Sequence, residues 1–329
     1  MDITFTKNDY YKRIKNYKSS IKKLKNLKEN QCLTFGSKNK FDSYYQYYLN
    51  KSKIVLKKNI GSRSRYGLIF LTYILKTKNQ IFATKVMEVN KHNTIEIDLS
   101  KKMSEITLKD LSPHFLLIYK TFICNNIEKD KKLPSLIRKT DYYISINELA
   151  DGNLKNFLMT NNNPELIENC YQQILLAVLS FHYHTGGVYH KDCHYKNFLF
   201  HRIKEGGYFH YKIFGKDVYV ENKGYIWMIW DFGLAKIKDY EKENRLEDYF
   251  TVNEFFKTSK SYDNYDMFMN IYKYVSQLSN LQHDYKNYIG YSDVLLFKEV
   301  IFKFKNLFKN SYDKNSFIIN KKPYTIKNF

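Results

Sequence analysis

Val188-Tyr189-His190-Lys191-Asp192-Cys193-His194-Tyr195-Lys196-Asn197-Phe198-Leu199 is the stretch on which the reading of this chain turns. Ahead of it, Asn163 is placed as an N-cap, Pro164 as a first helical residue and Gly186-Gly187 as a stop. Between those signals Ile167, Ile174, Leu175, Val178 and Leu179 recur with the period of a helix. The quoted stretch is therefore a loop following a capped helix. It sets a carboxylate, Asp192, and a carboxamide, Asn197, five residues apart. Phosphoryl transfer has use for such a pair, because an acidic group takes the proton of an attacking hydroxyl while a neutral oxygen ligand holds a metal on the phosphates.

Working outward, the apolar run Tyr225 to Trp230 ends in Asp231-Phe232-Gly233, 34 residues beyond Asn197. A strand that ends in a carboxylate supplies a second hard oxygen ligand of the kind Mg²⁺ takes alongside phosphate oxygens. On the other side, strands are expected over Lys53 to Ile60, Leu68 to Leu75 and Ile81 to Val89. A helix is expected from Ser100, a good N-cap, to Leu111, ahead of Pro113. Two more strands follow at Phe115 to Cys124 and Tyr142 to Asn147. Past residue 150 the period changes to that of helices, with later amphipathic stretches at Tyr262 to Leu278 and Ser292 to Phe308.

From residue 53 to 280 the sequence resembles the protein kinases. His190-Lys191-Asp192 with Asn197 is similar to their catalytic loop, and Asp231-Phe232-Gly233-Leu234-Ala235-Lys236 to their metal-binding motif. The resemblance implies an α+β, bilobal fold with a small antiparallel β-rich N-lobe and a mostly helical C-lobe. It divides the chain into a basic helical extension (1–50), an N-lobe (51–147) and a C-lobe (148–329). It also implies ATP and Mg²⁺ or Mn²⁺ as cofactors, with Asp192 catalytic and Asn197 and Asp231 as metal ligands. Phe82-Ala83-Thr84-Lys85 resembles the strand whose lysine contacts the α/β-phosphates. Glu105, 20 residues on, would be the ion-pair partner of Lys85, with Glu96 a nearby competitor. Ile60-Gly61-Ser62-Arg63-Ser64-Arg65-Tyr66-Gly67 stands at the glycine loop, where Gly61 and Gly67 would bring backbone N–H groups over the phosphates. Glu148-Leu149-Ala150-Asp151-Gly152 stands at the hinge, where the backbone of Glu148 and Ala150 would pair with adenine.

Several positions depart from the pattern. Arg63 replaces the middle glycine of the loop, and the last glycine falls one residue late. Lys191 stands where many kinases have Arg, and an ammonium cannot grip an activating phosphate with a bidentate fork. No proline occurs between Pro164 and Pro323, so the Ala-Pro-Glu that closes a typical activation segment is missing. The buried Asp of the helix beneath the catalytic loop is assigned to Asp266, with Asp263 competing. The long interval from Asn197 to Asp231 implies an enlarged hairpin around Gly206-Gly207 and Gly215. His194 gives a D-x-H-x-x-N loop reminiscent of kinases acting on aminoglycosides or choline, while Phe232 to Lys236 favours protein kinases. The whole pattern resembles divergent serine/threonine kinases of large DNA viruses. Three functions follow: a serine/threonine protein kinase, a small-molecule phosphotransferase, and a catalytically weak scaffold or nucleic-acid-binding pseudokinase. A zinc site at His190 and His194 is disfavoured, because no Glu follows His190 as it does in zincins.

Composition sets the outer limits. At 329 residues the chain can bury enough surface to need no staple. Lys and Arg number 54 against 33 Asp and Glu, a net charge of +21 that draws polyanions. Within the first 30 residues Tyr10, Ile14, Tyr17, Ile21 and Leu24 recur at helical spacing among lysines. This basic amphipathic helix either lies on the main domain or meets nucleic acid or an acidic surface, alongside the protein substrate expected as partner. Cys32, Cys124, Cys170 and Cys193 show no C-x-x-C spacing, which points to free thiols in a reducing compartment. With no transmembrane segment readable, the expected location is cytoplasmic, either host cytoplasm or virion if the chain is viral.

Overall fold

A computed structural model describes residues 9–25, 33–35, 47–49, 54–60, 67–74, 77–125, 141–161, 163–186, 188–190, 196–237 and 308–327. The chain forms two compact units. One comprises residues 11–104 and 116–150, and the other residues 1–10, 105–115 and 151–329.

The first unit is built on a seven-stranded antiparallel sheet. In chain order its elements are α1 (Lys12–Leu24), β1 (Leu33–Phe35), β2 (Tyr47–Leu49), β3 (Ile54–Asn59), β4 (Leu68–Ile74), β5 (Thr77–Glu88), α2 (Lys91–Leu108), β6 (Ile118–Asn125) and β7 (Asp141–Glu148). The strands lie in the order β1-β2-β3-β4-β5-β7-β6. Alternation along β5 and β7 turns Phe82, Val86, Tyr142, Ile144 and Ile146 into one core that also takes Leu24 of α1. The lysine-rich helix is thus laid along the sheet, with Tyr17 stacked on Tyr119 at 5.5 Å. Burial, and after it the Glu148 charge, push the Tyr119 hydroxyl far above the usual phenol range.

Helix α2 starts at Lys91 rather than Ser100. Asn90 caps it: its Oδ1 accepts the Asn93 N–H at 2.9 Å, and its carbonyl accepts the Thr94 N–H at 2.9 Å. Asn93 then ties the first turn to the end of β5 through the Glu88 carbonyl at 2.7 Å. Ser100 is a buried residue inside the helix.

The second unit contains α3 (Leu154–Thr160) and α4 (Pro164–Thr185), together with short strands. These are β8 (Gly152–Asn153), β9 (Val188–Tyr189), β10 (Phe198–Arg202), β11 (Tyr208–Ile213), β12 (Lys216–Glu221), β13 (Tyr225–Ile229), β14 (Lys236–Ile237) and β15 (Tyr324–Ile326). Helix α4 carries the expected caps. Asn163 Oδ1 accepts the Glu165 N–H at 2.9 Å, and Gly186 closes the helix at φ 75°. Gln173, buried on α4, donates to the Tyr225 carbonyl at 3.1 Å and accepts the Trp227 N–H at 3.0 Å, so the helix fixes the path of β13. Gln173→Leu leaves both backbone groups buried without this partner and is expected to cost about 1–3 kcal/mol, read as a lower urea midpoint.

The enlarged hairpin is β11–β12, turning through Phe214 (φ 49°) and Gly215 (φ 84°). Its other edge is filled by β15, which pairs with β11 in parallel. Asn320 accepts the His210 N–H at 2.9 Å and donates to the His210 carbonyl at 2.8 Å. The tail is also held by the Tyr324 hydroxyl, which donates to Asp110 at 3.0 Å and meets the Tyr10 hydroxyl at 3.0 Å.

Antiparallel sheets and helices together make the chain α+β, consistent with a bilobal kinase-like fold. The helices expected at Tyr262 to Leu278 and over 292–307, with Asp263 and Asp266, lie outside the described residues. Phe308, the last residue of that second expected helix, is described and is not helical. None of the described helices is long and apolar enough to cross a membrane. Cys124 and Cys170 are buried free thiols.

Candidate functional site

Lys85 stands on β5 with its neighbours Phe82, Thr84 and Val86 turned within the same unit's core. Its own side chain is 1% exposed, and its Nζ lies 2.5 Å from Glu96 Oε1. Glu96 is 2% exposed and sits in the second turn of α2. The partner of Lys85 is thus Glu96 and not the expected Glu105. Glu105 is 65% exposed and lies 3.5 Å from Lys109 one turn along, a surface contact worth little. Because α2 begins nine residues early, its first turns rather than its last face Lys85.

Gly67 is explained by space. A Cβ there would come within 2.8 Å of Met87 Cγ, 2.9 Å of the Val86 carbonyl and 3.4 Å of Lys85 Cε. The backbone entering β4 therefore passes directly over the Lys85 strand, which a side chain would forbid. Gly61 falls in 61–66, outside the described residues.

Glu148 closes β7, beside Phe82 of β5. Its N–H donates to the Leu117 carbonyl at 2.8 Å, so that donor is engaged within the unit. Its carboxylate is buried against Arg13 of α1, with Nη2 2.8 Å from Oε2. Ala150 follows at intermediate exposure. Asn147, two residues along β7 from Ser145, is completely buried and accepts the Ser145 hydroxyl at 2.7 Å. Ser145 is the register partner of Lys85, and Asn147 that of Ala83.

In the second unit, the β10–β13 ladder runs from Phe198 opposite Ile229 to Arg202 opposite Tyr225. Asn197 precedes one end of that ladder and Asp231 follows the other strand at the same end. The Trp230 N–H bonds the Asn197 carbonyl at 3.0 Å. The two candidate metal ligands are thus neighbours by construction. Asn197 is buried, and Asp231 holds φ 68°, a left-handed conformation that costs a non-glycine residue about 1–3 kcal/mol.

Around them the packing is aromatic. Phe232 stacks on Phe181 of α4 with ring centroids 4.9 Å apart and planes 4° from parallel. His190 lies against both rings, at 5.7 Å from Phe181 and 5.4 Å from Phe232. Its Nε2 is 3.0 Å from the Trp230 carbonyl, which can only accept, so Nε2 carries the proton. Beyond the turn closed by the Ala235 N–H on the Phe232 carbonyl, β14 pairs with β9, Lys236 opposite Tyr189. Asp192 and His194 belong to 191–195, outside the described residues, but the residues flanking that stretch, 188–190 and 196–197, are tied to 230–237.

No group of three or more His, Cys, Asp or Glu is gathered for a metal among the described residues. An Asn and an Asp at the same end of one ladder are residue types that suit Mg²⁺ nonetheless, since that ion takes one or two carboxylates and completes its shell with phosphate and water oxygens.

No family model matches the chain. Over 148 residues, 43% of its length, it is 28% identical to a protein of Frog virus 3 (isolate Goorha) named "Putative serine/threonine-protein kinase 019R". The match spans 17% of that relative's length. The chain therefore bears a distant relation to one named viral kinase.

Proposed function

We propose that this chain is an ATP-dependent protein kinase that transfers the γ-phosphate to Ser or Thr hydroxyls of a protein substrate. The observation that carries the reading is the placement of Asn197 and Asp231 at the same end of the β10–β13 ladder, where the Trp230 N–H bonds the Asn197 carbonyl, five residues along the chain from Asp192. The buried Lys85–Glu96 pair supports it. In this reading Asp192 accepts the hydroxyl proton as the substrate oxygen bonds to the γ-phosphorus. The bond from that phosphorus to the β–γ bridging oxygen breaks, and ADP leaves. Lys85 holds the α/β-phosphates, oriented by Glu96, and backbone groups of Gly61 and Gly67 cover them. Asn197 and Asp231 would hold Mg²⁺ or Mn²⁺, which when bound would supply positive charge against the phosphates. Adenine pairs with the backbone of Glu148 and Ala150; the engaged Glu148 N–H leaves the donor role to Ala150. The buried thiols of Cys124 and Cys170 suit a reducing compartment such as a host cytoplasm. Residues 51–147 and 148–329 serve as the two lobes, and the lysines of α1 offer an acidic surface or nucleic acid a secondary contact.

The test uses γ-labelled ATP with Mg²⁺ or Mn²⁺, basic and acidic protein acceptors, and Asp192→Asn beside the wild type. Label on protein serine or threonine from the wild type, lost in the variant, is expected. Label appearing on small alcohols with none on protein would assign the chain to small-molecule phosphotransferases instead, the outcome His194 favours. ATP-independent, salt-sensitive RNA binding with no transfer would assign it to the scaffold class.

A further inference from the structure

Arg13 and Glu148, 135 positions apart, meet in the interior of the sheet unit. The guanidinium donates from Nε to Glu148 Oε1 and from Nη2 to Oε2, each at 2.8 Å. The side chains are 5% and 7% exposed. Glu148 Oε2 also accepts the Leu117 N–H at 3.1 Å, while the Glu148 N–H donates to the Leu117 carbonyl. One carboxylate thus gathers two donors from α1 and one from the backbone leading into β6.

Attachment of α1 does not call for this arrangement. Leu24 already lies in the core and Tyr17 on Tyr119. A hydrophobic pair would hold the helix without removing two charges from water, which is costly. What the fork adds is direction, because a bidentate guanidinium fixes the plane of the carboxylate it grips. The place in the chain is equally specific. The chain passes between its two units at 10–11, 104–105, 115–116 and 150–151. Arg13, Leu117 and Glu148 each stand within three residues of one of these passages.

We infer that Arg13 is a positioning residue for the nucleotide: by clasping Glu148 it holds the Glu148–Ala150 backbone in the conformation that receives the base, so the N-terminal helix is a working part of the nucleotide site. This rests on the kinase reading above. From the sequence the helix reads as an extension and Glu148 as a backbone contact alone. The signal for their union, an arginine among lysines on the apolar side of the helix, is visible only once the face is known.

The full chain is compared with Arg13→Lys and with the double variant Arg13→Met, Glu148→Met. The double variant fills the same space without a buried charge, so it stays folded, checked by circular dichroism and thermal melting. The KM for ATP is expected to rise about tenfold in the double variant and about threefold in Arg13→Lys, with a smaller change in kcat. Amide exchange at Leu149 and Ala150 is expected to accelerate at least about tenfold in the double variant, with β4 and β5 unchanged. A folded double variant with wild-type KM and wild-type exchange overturns the inference. Failure of the kinase reading looks different: the wild type itself transfers no phosphate. In that case exchange at Leu149 and Ala150 alone decides whether Arg13 holds this backbone, and unchanged exchange again overturns it.

Discussion

Lys85→Met is expected to abolish phosphoryl transfer and destabilise the chain together, and adding Glu96→Gln is expected to restore only the stability. Both side chains are almost fully buried. Removing the ammonium strands a buried carboxylate, which costs about 3–5 kcal/mol. The thermal midpoint should fall by roughly 10 °C. Glutamine at position 96 removes the stranded charge, so the double variant should melt close to the wild type. Its transfer rate should stay lower by at least about 100-fold, the usual cost of losing one preorganised donor to developing charge. Glu105→Gln is the control. It is exposed, and it should leave stability within about 0.5 kcal/mol and activity unchanged. A double variant that regains activity would remove Lys85 from the chemistry.

Asp231→Asn is the second large effect, and here stability and activity should part completely. Asparagine tolerates the left-handed backbone that Asp231 holds, so unfolding should be little changed. A neutral amide is a much poorer partner for a divalent ion, and transfer should fall by about 1,000-fold or more. Mn²⁺ titration reads the cause directly: the variant should need far more metal for half-maximal nucleotide binding. Asp231→Gly should be equally inert and at least as stable, because glycine adopts this conformation without a steric penalty. An active Asp231→Asn variant would refute the assignment of this residue to the metal.

Most of the strand pattern in the first 150 residues was readable, because strand-like runs such as Leu68 to Ile74 and Ile81 to Glu88 are separated by polar turns. Helix α4 was readable from its caps. The start of α2 was not. Ile95, Ile97 and Leu99 alternate like a strand, and Asn90 and Asn93 read as loop residues until one is seen capping the helix and the other bonding β5. That misplaced start is what put Glu105 ahead of Glu96. Asn197 and Asp231 were legible as residue types, but their adjacency depends on the β10–β13 register, which no spacing of 34 residues reveals. The tail was illegible for a related reason. Tyr324 to Ile326 is too short to announce a strand, and its partner lies more than a hundred residues away.

That parallel pairing of β15 with β11 has a consequence for the order in which the protein matures on the ribosome. Every residue of the sheet unit has been synthesised by Ala150, so its ladders can zip while translation continues. The β11–β12 hairpin must wait with one edge unpaired until residues 324–326 emerge. Tyr10 has a still longer wait for one of its contacts, the Tyr324 hydroxyl, which follows 314 positions later. Contacts of such long separation are slow to form and leave strand edges open to wrong partners in the interval. The nascent chain is thus expected to spend its vulnerable period with a finished sheet unit and an unsealed hairpin, the state in which chaperone capture or misassembly would act.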